Sequence, residues 1–163
     1  MSDRSCAGIA IRPAELGDMD TVRDLFREYA DWLQVDLCFQ GFEAELAGLP
    51  GGYGPPSGGL WLAKEGDQLA GIIGFRPLDP GRCEMKRLWV RPAFRGQGLG
   101  ERLVREVLGA ARAAGYEKIC LDTLSFMAAA RKLYADLGFY EIPAYYHNPE
   151  ADVRYMEMNL RKL

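Results

Sequence analysis

Residues 88–104, LWVRPAFRGQGLGERLV, run from an apolar strand-like stretch through Pro92 and Arg95 into three alternating glycines and the start of a helix. The way these residues join decides the fold. Taken alone, Gly96, Gly98 and Gly100 make a simple strand-to-helix turn. Placed at a helix N-terminus, they also allow positive φ and close backbone approach, and the unpaired amides there favour a phosphate or pyrophosphate. Arg95 adds a planar, fixed positive charge beside them. Two nucleotide fingerprints fail. The dinucleotide pattern needs a glycine where Glu101 stands, and the P-loop needs a closing Gly-Lys-Ser/Thr that is missing here.

Working outward, the runs LWLAKEG (60–66), QLAGIIGFRPL (68–78) and CEMKRLWVRP (83–92) read as strands, with a tight hairpin at Gly66-Asp67. Upstream, GIAIRPA (8–14) alternates like an edge strand. Asp18 is placed to cap a helix whose apolar face holds Met19, Val22, Leu25, Phe26, Tyr29 and Leu33. A second helix is expected from Phe42 to Leu49, followed by a glycine- and proline-rich loop over 48–59. Downstream, the spacing predicts a helix from Gly98 to Ala114 with Leu99, Leu103, Val107 and Ala111 inside. A buried strand follows at 118–124, then a helix over 125–138 with Phe126, Ala130, Leu133, Tyr134 and Leu137 inside. Two closing strands are expected near 139–142 and 154–160. Trp32, Trp61 and Trp89 read as core. The helical crossover after 83–92 implies one parallel strand pair in a sheet otherwise joined by hairpins: a mixed α/β (α+β) fold.

With 163 residues and ordinary composition, a single domain spanning 1–163 is expected. The net charge of −3 comes from 20 basic and 23 acidic residues, which speaks against nucleic-acid or anionic-membrane partners. No apolar run approaches the ~20 residues that cross a bilayer. Cys6, Cys38, Cys83 and Cys120 show no paired spacing and read as reduced thiols of a cytoplasmic protein. His147 is the single histidine, so no metal site is expected.

The opening stretch resembles motif A of the GNAT superfamily of acyl-CoA-dependent N-acetyltransferases, whose pattern is Arg/Gln-x-x-Gly-x-Gly/Ala. A strict count from Gln97 leaves Arg95 as the preceding basic residue. ARKLYADLGFYE (130–141) resembles the family's motif B, and IAIRPAELGDMDTVRDLF (9–26) its usual opening strand and helix. The resemblance covers nearly the whole chain. It implies a mostly antiparallel sheet with a central parallel pair splayed to admit CoA. Amides from Phe94 to Gly100 (with Arg95, Gly96, Gln97, Gly98 and Leu99 between) would bind the pyrophosphate of acetyl-CoA, the co-substrate. Backbone groups of Leu88 and Val90 would hold the pantetheine arm, the Val90 N–H also meeting the oxyanion. The family often has asparagine seven residues before the motif-B tyrosine, where this chain has Met127.

Amide formation needs a neutral amine, so a base must take a proton, and the departing thiolate must gain one. Tyr134 is the resemblance's candidate acid: its alternative is a core tyrosine on an apolar helix face. A phenol near ~10 can serve a thiolate near ~8.5 when it is positioned. Glu84 holds the place where relatives carry a basic glutamate, against the alternative of an ion pair with Lys86, Arg82 or another cation. The strand's pleat puts Glu84 on the side of Lys86 and Leu88 unless a bulge intervenes. His147 is expected to be exposed and is an alternative base. Phe39, Tyr145, Tyr146 and Asn148 are the candidates for the acceptor pocket, or simply loop packing. The expected activity is acetyl transfer to a primary amine of a small molecule. The alternatives are a protein or peptide acetyltransferase, and a non-catalytic acyl-CoA-binding module. Edge strands leave a homodimer open.

Overall fold

A computed structural model of the chain describes residues 8–34, 37, 41–150 and 152–163. Seven strands form one sheet in the order β1-β2-β3-β4-β5-β7-β6. Their ranges are β1 Ile9–Pro13, β2 Gly59–Glu65, β3 Gln68–Asp79, β4 Arg82–Val90, β5 Lys118–Leu124, β6 Tyr140–Ile142 and β7 Val153–Asn159. All neighbours run antiparallel except β4 and β5. The expected mixed sheet and its one parallel pair are both present.

Helices cover both faces. Those on one side are α1 (Met19–Leu33) and α2 (Phe42–Ala47), which pack Val22, Leu25, Phe26, Phe42 and Leu46 against Leu62, Ile72 and Trp89. On the other side, α3 (Leu99–Ala113) and α4 (Ala128–Leu137) bury Leu103, Val107, Ala111 and Tyr134 against Ile73, Met85, Ile119 and Met156. Each helix carries one apolar stripe because its apolar residues recur at three and four positions, and each stripe meets one face of the pleat. Gly66 turns the β2–β3 hairpin at φ +60.

Three local expectations change. Asp18 stands immediately before α1, but its side chain does not cap the helix. Its carboxylate turns back to Arg12 (2.8 and 2.9 Å) and to the Glu15 amide (2.7 Å), fastening the β1–α1 corner instead. The last helix begins at Ala128 rather than Ser125, so Phe126 precedes it and is 58% exposed. Trp32 is 39% exposed, whereas Trp61 and Trp89 are buried. Trp32 and Phe126 lie 6.0 Å apart, centroid to centroid, at the rim of a groove. Helical periodicity marks the side that is not solvent, and a groove counts as that side.

Strand β4 contains the feature that shapes the centre. Its parallel pairing with β5 spans only Arg82–Glu84 opposite Lys118–Cys120, although both strands continue. Along its other edge, Ile72 and Gly74 of β3 face Trp89 and Lys86, so β4 holds one extra residue in that interval. Arg87 sits there at φ +64, a left-handed conformation that disfavours side chains with a Cβ. The bulge reverses the pleat. Met85 packs with α3 and α4, but Trp89, four residues on, packs with α1 and α2. Leu88 therefore leaves the side that Glu84 and Lys86 share and joins the α3/α4 face.

Candidate active site

Two cavities open where β4 and β5 part. The first is a groove between the glycine loop and α4, lined by Trp32, Leu88, Val90, Arg95, Gly96, Gly98, Leu99, Gly100 and residues 126–130. The second is more polar, lined by Tyr29, Lys86, Arg87, Asp122, Thr123, Tyr134, Asn148 and Glu150 among others. Leu88 and Met127 line both, so the two spaces meet at the wedge between the strands.

The groove has the chemistry of an anion cradle. Gly96 and Gly98 each adopt φ +78, and Gly98 is the residue before α3. The motif registers as Arg95-x-x-Gly98-x-Gly100; counted from Gln97, its last place would fall on Arg102, inside the helix. The first helical bond of α3 runs from the Arg102 amide to the Gly98 carbonyl (3.2 Å), leaving the preceding amides at the helix mouth for an anion. The Arg95 guanidinium stacks over Trp32 and Trp89, 5.2 and 5.1 Å from their centroids. Its Nε donates to the Val90 carbonyl (3.1 Å).

The free edge of β4 is defined by its partner strand. The Arg91 amide donates to the Ala70 carbonyl (2.9 Å). Val90, opposite Gly71, therefore turns its own N–H and C=O away from β3 and into the wedge. Gly71 is required at this point, because a Cβ there would lie 2.7 Å from the Trp89 carbonyl oxygen.

Under the polar cavity lies a buried charge network. Glu45 of α2 takes Arg87 on two oxygens (3.1 and 3.2 Å) and Arg76 on one (3.0 Å). Glu84 accepts from Arg76 Nε (3.3 Å) and from the Tyr145 hydroxyl (2.7 Å). Lys86 Nζ stands 3.9 Å from Glu84 and 3.6 Å from Asp122. Asp122 also accepts from the Tyr146 hydroxyl, to which Asn148 Nδ2 donates (3.2 Å). Burial pulls the Lys86 ammonium below its usual range, partly offset by Asp122 and Glu84. For Asp122, burial works toward a higher value, but Lys86 and the Tyr146 hydroxyl outweigh it and hold the carboxyl below the ordinary range.

Tyr134 is 5% exposed and lines the polar cavity, and its hydroxyl makes no hydrogen bond among the described residues. Burial pushes its phenol well up, with Tyr29 and Asp122 adding to the rise. Tyr29, in the same cavity, is pushed up to about 12 by burial. Both phenols keep their protons across the neutral range.

Of the residues singled out from the sequence, the groove gathers Leu88, Val90, Arg95, Gly96, Gly98, Leu99 and Gly100, with Gln97 on the same loop. Tyr134 and Asn148 line the polar cavity, whereas Glu84, Tyr145 and Tyr146 stand behind its wall as parts of the network. Phe39, with Cys6 and Cys38, lies outside the described residues. Cys83 and Cys120 are buried free thiols, and His147 is exposed. Sequence reasoning passed over Glu45, Arg87 and Asp122. A signal existed in EMKR (84–87), where a charge on both faces of a buried strand breaks strict alternation. Among the described residues no cluster of three His, Cys, Asp or Glu side chains is arranged to hold a metal ion, and no helix is long and apolar enough to cross a membrane.

Comparison with known proteins agrees with this geometry. A family profile described as the Acetyltransferase (GNAT) family matches residues 19–139. An uncharacterized N-acetyltransferase of Schizosaccharomyces pombe is 40% identical over 147 residues, covering 89% of this chain and 90% of its own length. A GNAT-family acetyltransferase from Staphylococcus aureus superposes with a TM-score of 0.75 at 22% identity, over 93% of this chain and 99% of its own. An acetyltransferase from Salmonella typhimurium, solved with its cofactor acetyl-CoA, superposes at 0.69 and 22% identity, over 94% of each chain.

Proposed function

The chain belongs to the GNAT family of acetyltransferases, and from that premise we propose that it moves an acetyl group from acetyl-CoA to the primary amine of a small molecule. The observation that carries this reading is the meeting of an anion-cradling groove and a polar cavity at Leu88 and Met127, with Tyr134 beside the junction.

In this reading the amides of Gly98, Leu99 and Gly100 hold the pyrophosphate, with Arg95 leaving the Val90 carbonyl to join them. The freed edge of Val90 then pairs with the pantetheine arm as an added strand would. Its N–H donates to the thioester oxygen, where negative charge develops. Met127 lines this junction and takes the Thr123 hydroxyl on its sulfur (3.8 Å), at the position where the family often carries a cofactor-contacting asparagine. Bound acetyl-CoA supplies an activated acyl group and a thiolate leaving group.

The amine nitrogen forms a bond to the carbonyl carbon, the carbon–sulfur bond breaks, and the amine loses a proton while sulfur gains one. Tyr134 gives that proton. Burial raises its pKa, so the phenol holds its proton until the thiolate forms beside it. Glu84 takes the amine's proton at one remove, from behind Lys86; Asp122 is the carboxylate with direct access to the cavity. His147, exposed on its loop, is the weaker candidate.

The test is thiol release from acetyl-CoA across a panel of amines and peptides. Amine-dependent release with small molecules supports the proposal. Release only with peptides or proteins would move the acceptor class, and CoA binding without release would leave an acyl-CoA-binding module.

A further inference from the structure

Leu88 and Met127 line both the groove and the polar cavity, so the way from one into the other runs between them. Leu88 lies near the end of β4 and Met127 immediately before α4. Leu88 follows the bulge at Arg87, which turns it to the α3/α4 face, where it packs on the core. Met127 is fixed along its backbone. Its amide donates to the Leu124 carbonyl and its carbonyl accepts from the Arg131 amide, both at 3.0 Å.

Methionine by itself makes a poor wall, because its unbranched thioether chain changes shape readily to admit extra atoms. Here the hydroxyl of Thr123, a buried residue of β5, donates to the Met127 sulfur (3.8 Å) and holds the side chain in one arrangement. The space beyond is small. The polar cavity has a free volume of about 40 Å³, against about 350 Å³ in the groove. One water-sized group needs about 10–15 Å³, so the cavity takes roughly three. Leu33, Leu37, Met85 and Leu121, all buried, close its apolar side.

In the acetyl-transfer reading, on which this assignment rests, the thioester lies at the junction. The acyl methyl and the incoming amine then share the space beyond it. A methyl, a nitrogen and the carbon that bears it are enough to fill that space. Each further methylene on the acyl chain takes room that the amine needs. We infer that Met127, held by Thr123, is the residue that restricts the donor to short acyl groups.

The experiment titrates acetyl-, butyryl- and hexanoyl-CoA by calorimetry, with no amine present, into the parent, Met127→Ala and Thr123→Val. An open groove would bind the longer chains more tightly, by about 4-fold for each methylene buried. The wall reverses that order. Hexanoyl overfills the cavity even without an amine, and should bind the parent about 10-fold or more weakly than acetyl. Met127→Ala should abolish the penalty, and Thr123→Val, which frees the sulfur at nearly constant volume, should reduce it. Hexanoyl-CoA binding the parent as tightly as acetyl-CoA overturns the inference, as does a penalty that persists in Met127→Ala. A penalty unchanged in Thr123→Val overturns the tether. The selectivity is a ratio within each variant, so a general loss of stability does not imitate it. Thiol release with the most active acceptor of the amine and peptide panel should rank the three donors in the same order of kcat/KM. No release with any of them overturns the transfer reading, and the calorimetric order then decides the wall by itself.

Discussion

Glu45, on helix α2, holds Arg87 of β4 through two hydrogen bonds of 3.1 and 3.2 Å, and Arg87 is the residue whose φ of +64 bulges the strand. Helix α2 thereby sets the shape of the strand that borders the glycine-loop groove. Both side chains are nearly inaccessible, at 7% and 2% of full exposure. Removing one partner strands the other charge in a dry site. Glu45→Ala should therefore lose about 3–5 kcal/mol of stability, measured by denaturant unfolding. Glu45→Gln keeps one acceptor oxygen and should lose distinctly less.

Tyr134→Phe keeps the ring that packs on Phe139 at 5.6 Å and removes only the hydroxyl. Turnover should fall about 100-fold or more while CoA affinity by calorimetry stays within error. Unchanged turnover would remove Tyr134 from the acid role and return it to the core.

Glu84→Gln preserves the shape of the carboxylate but not its ability to take a proton. The loss of rate should be greatest at low pH, where the acceptor is protonated and needs a base, and should shrink as the pH approaches the amine's own pKa. A pH profile parallel to the parent's would transfer the role to Asp122, for which Asp122→Asn is the matching variant.

Asp18 supplies a pH test of the fold rather than the chemistry. Its hydrogen bonds from Arg12 and then from the Glu15 amide hold its carboxyl well below the ordinary range. A carboxyl depressed in the folded state stabilises it above the unfolded value of about 3.9, and that contribution fades as the pH falls toward the folded one. Asp18→Asn should thus lower the melting temperature at pH 7. The gap to the parent should close progressively below about pH 4.

Much of this molecule was legible before its coordinates. Alternation and three-four spacing report which residues share a face, so the strands, the helices and the crossover after β4 followed from local pattern. The glycine loop was legible because left-handed backbone has a residue-type signature. The bulge was less so: its signature is glycine or asparagine, and here an arginine occupies it, held by a glutamate 42 residues away. The charged lining of the polar cavity was legible only in part for the same reason. Lys86, Arg87 and Asp122 come together through the splay of two strands, and no window along the chain contains that distance. Trp32 and Phe126 were misplaced because an apolar stripe looks alike whether it faces a core or the mouth of a groove.

That mouth has an optical consequence. The Arg95 guanidinium lies against two indoles at the place where the donor's arm would enter. A ligand that draws the cation away changes the surroundings of Trp32 and Trp89 at once. Of the chain's three tryptophans, only Trp61 lies elsewhere, stacked on Phe75. The emission of the unlabelled protein is therefore a built-in gauge of groove occupancy, readable in a stopped-flow cell before any acetyl group has moved.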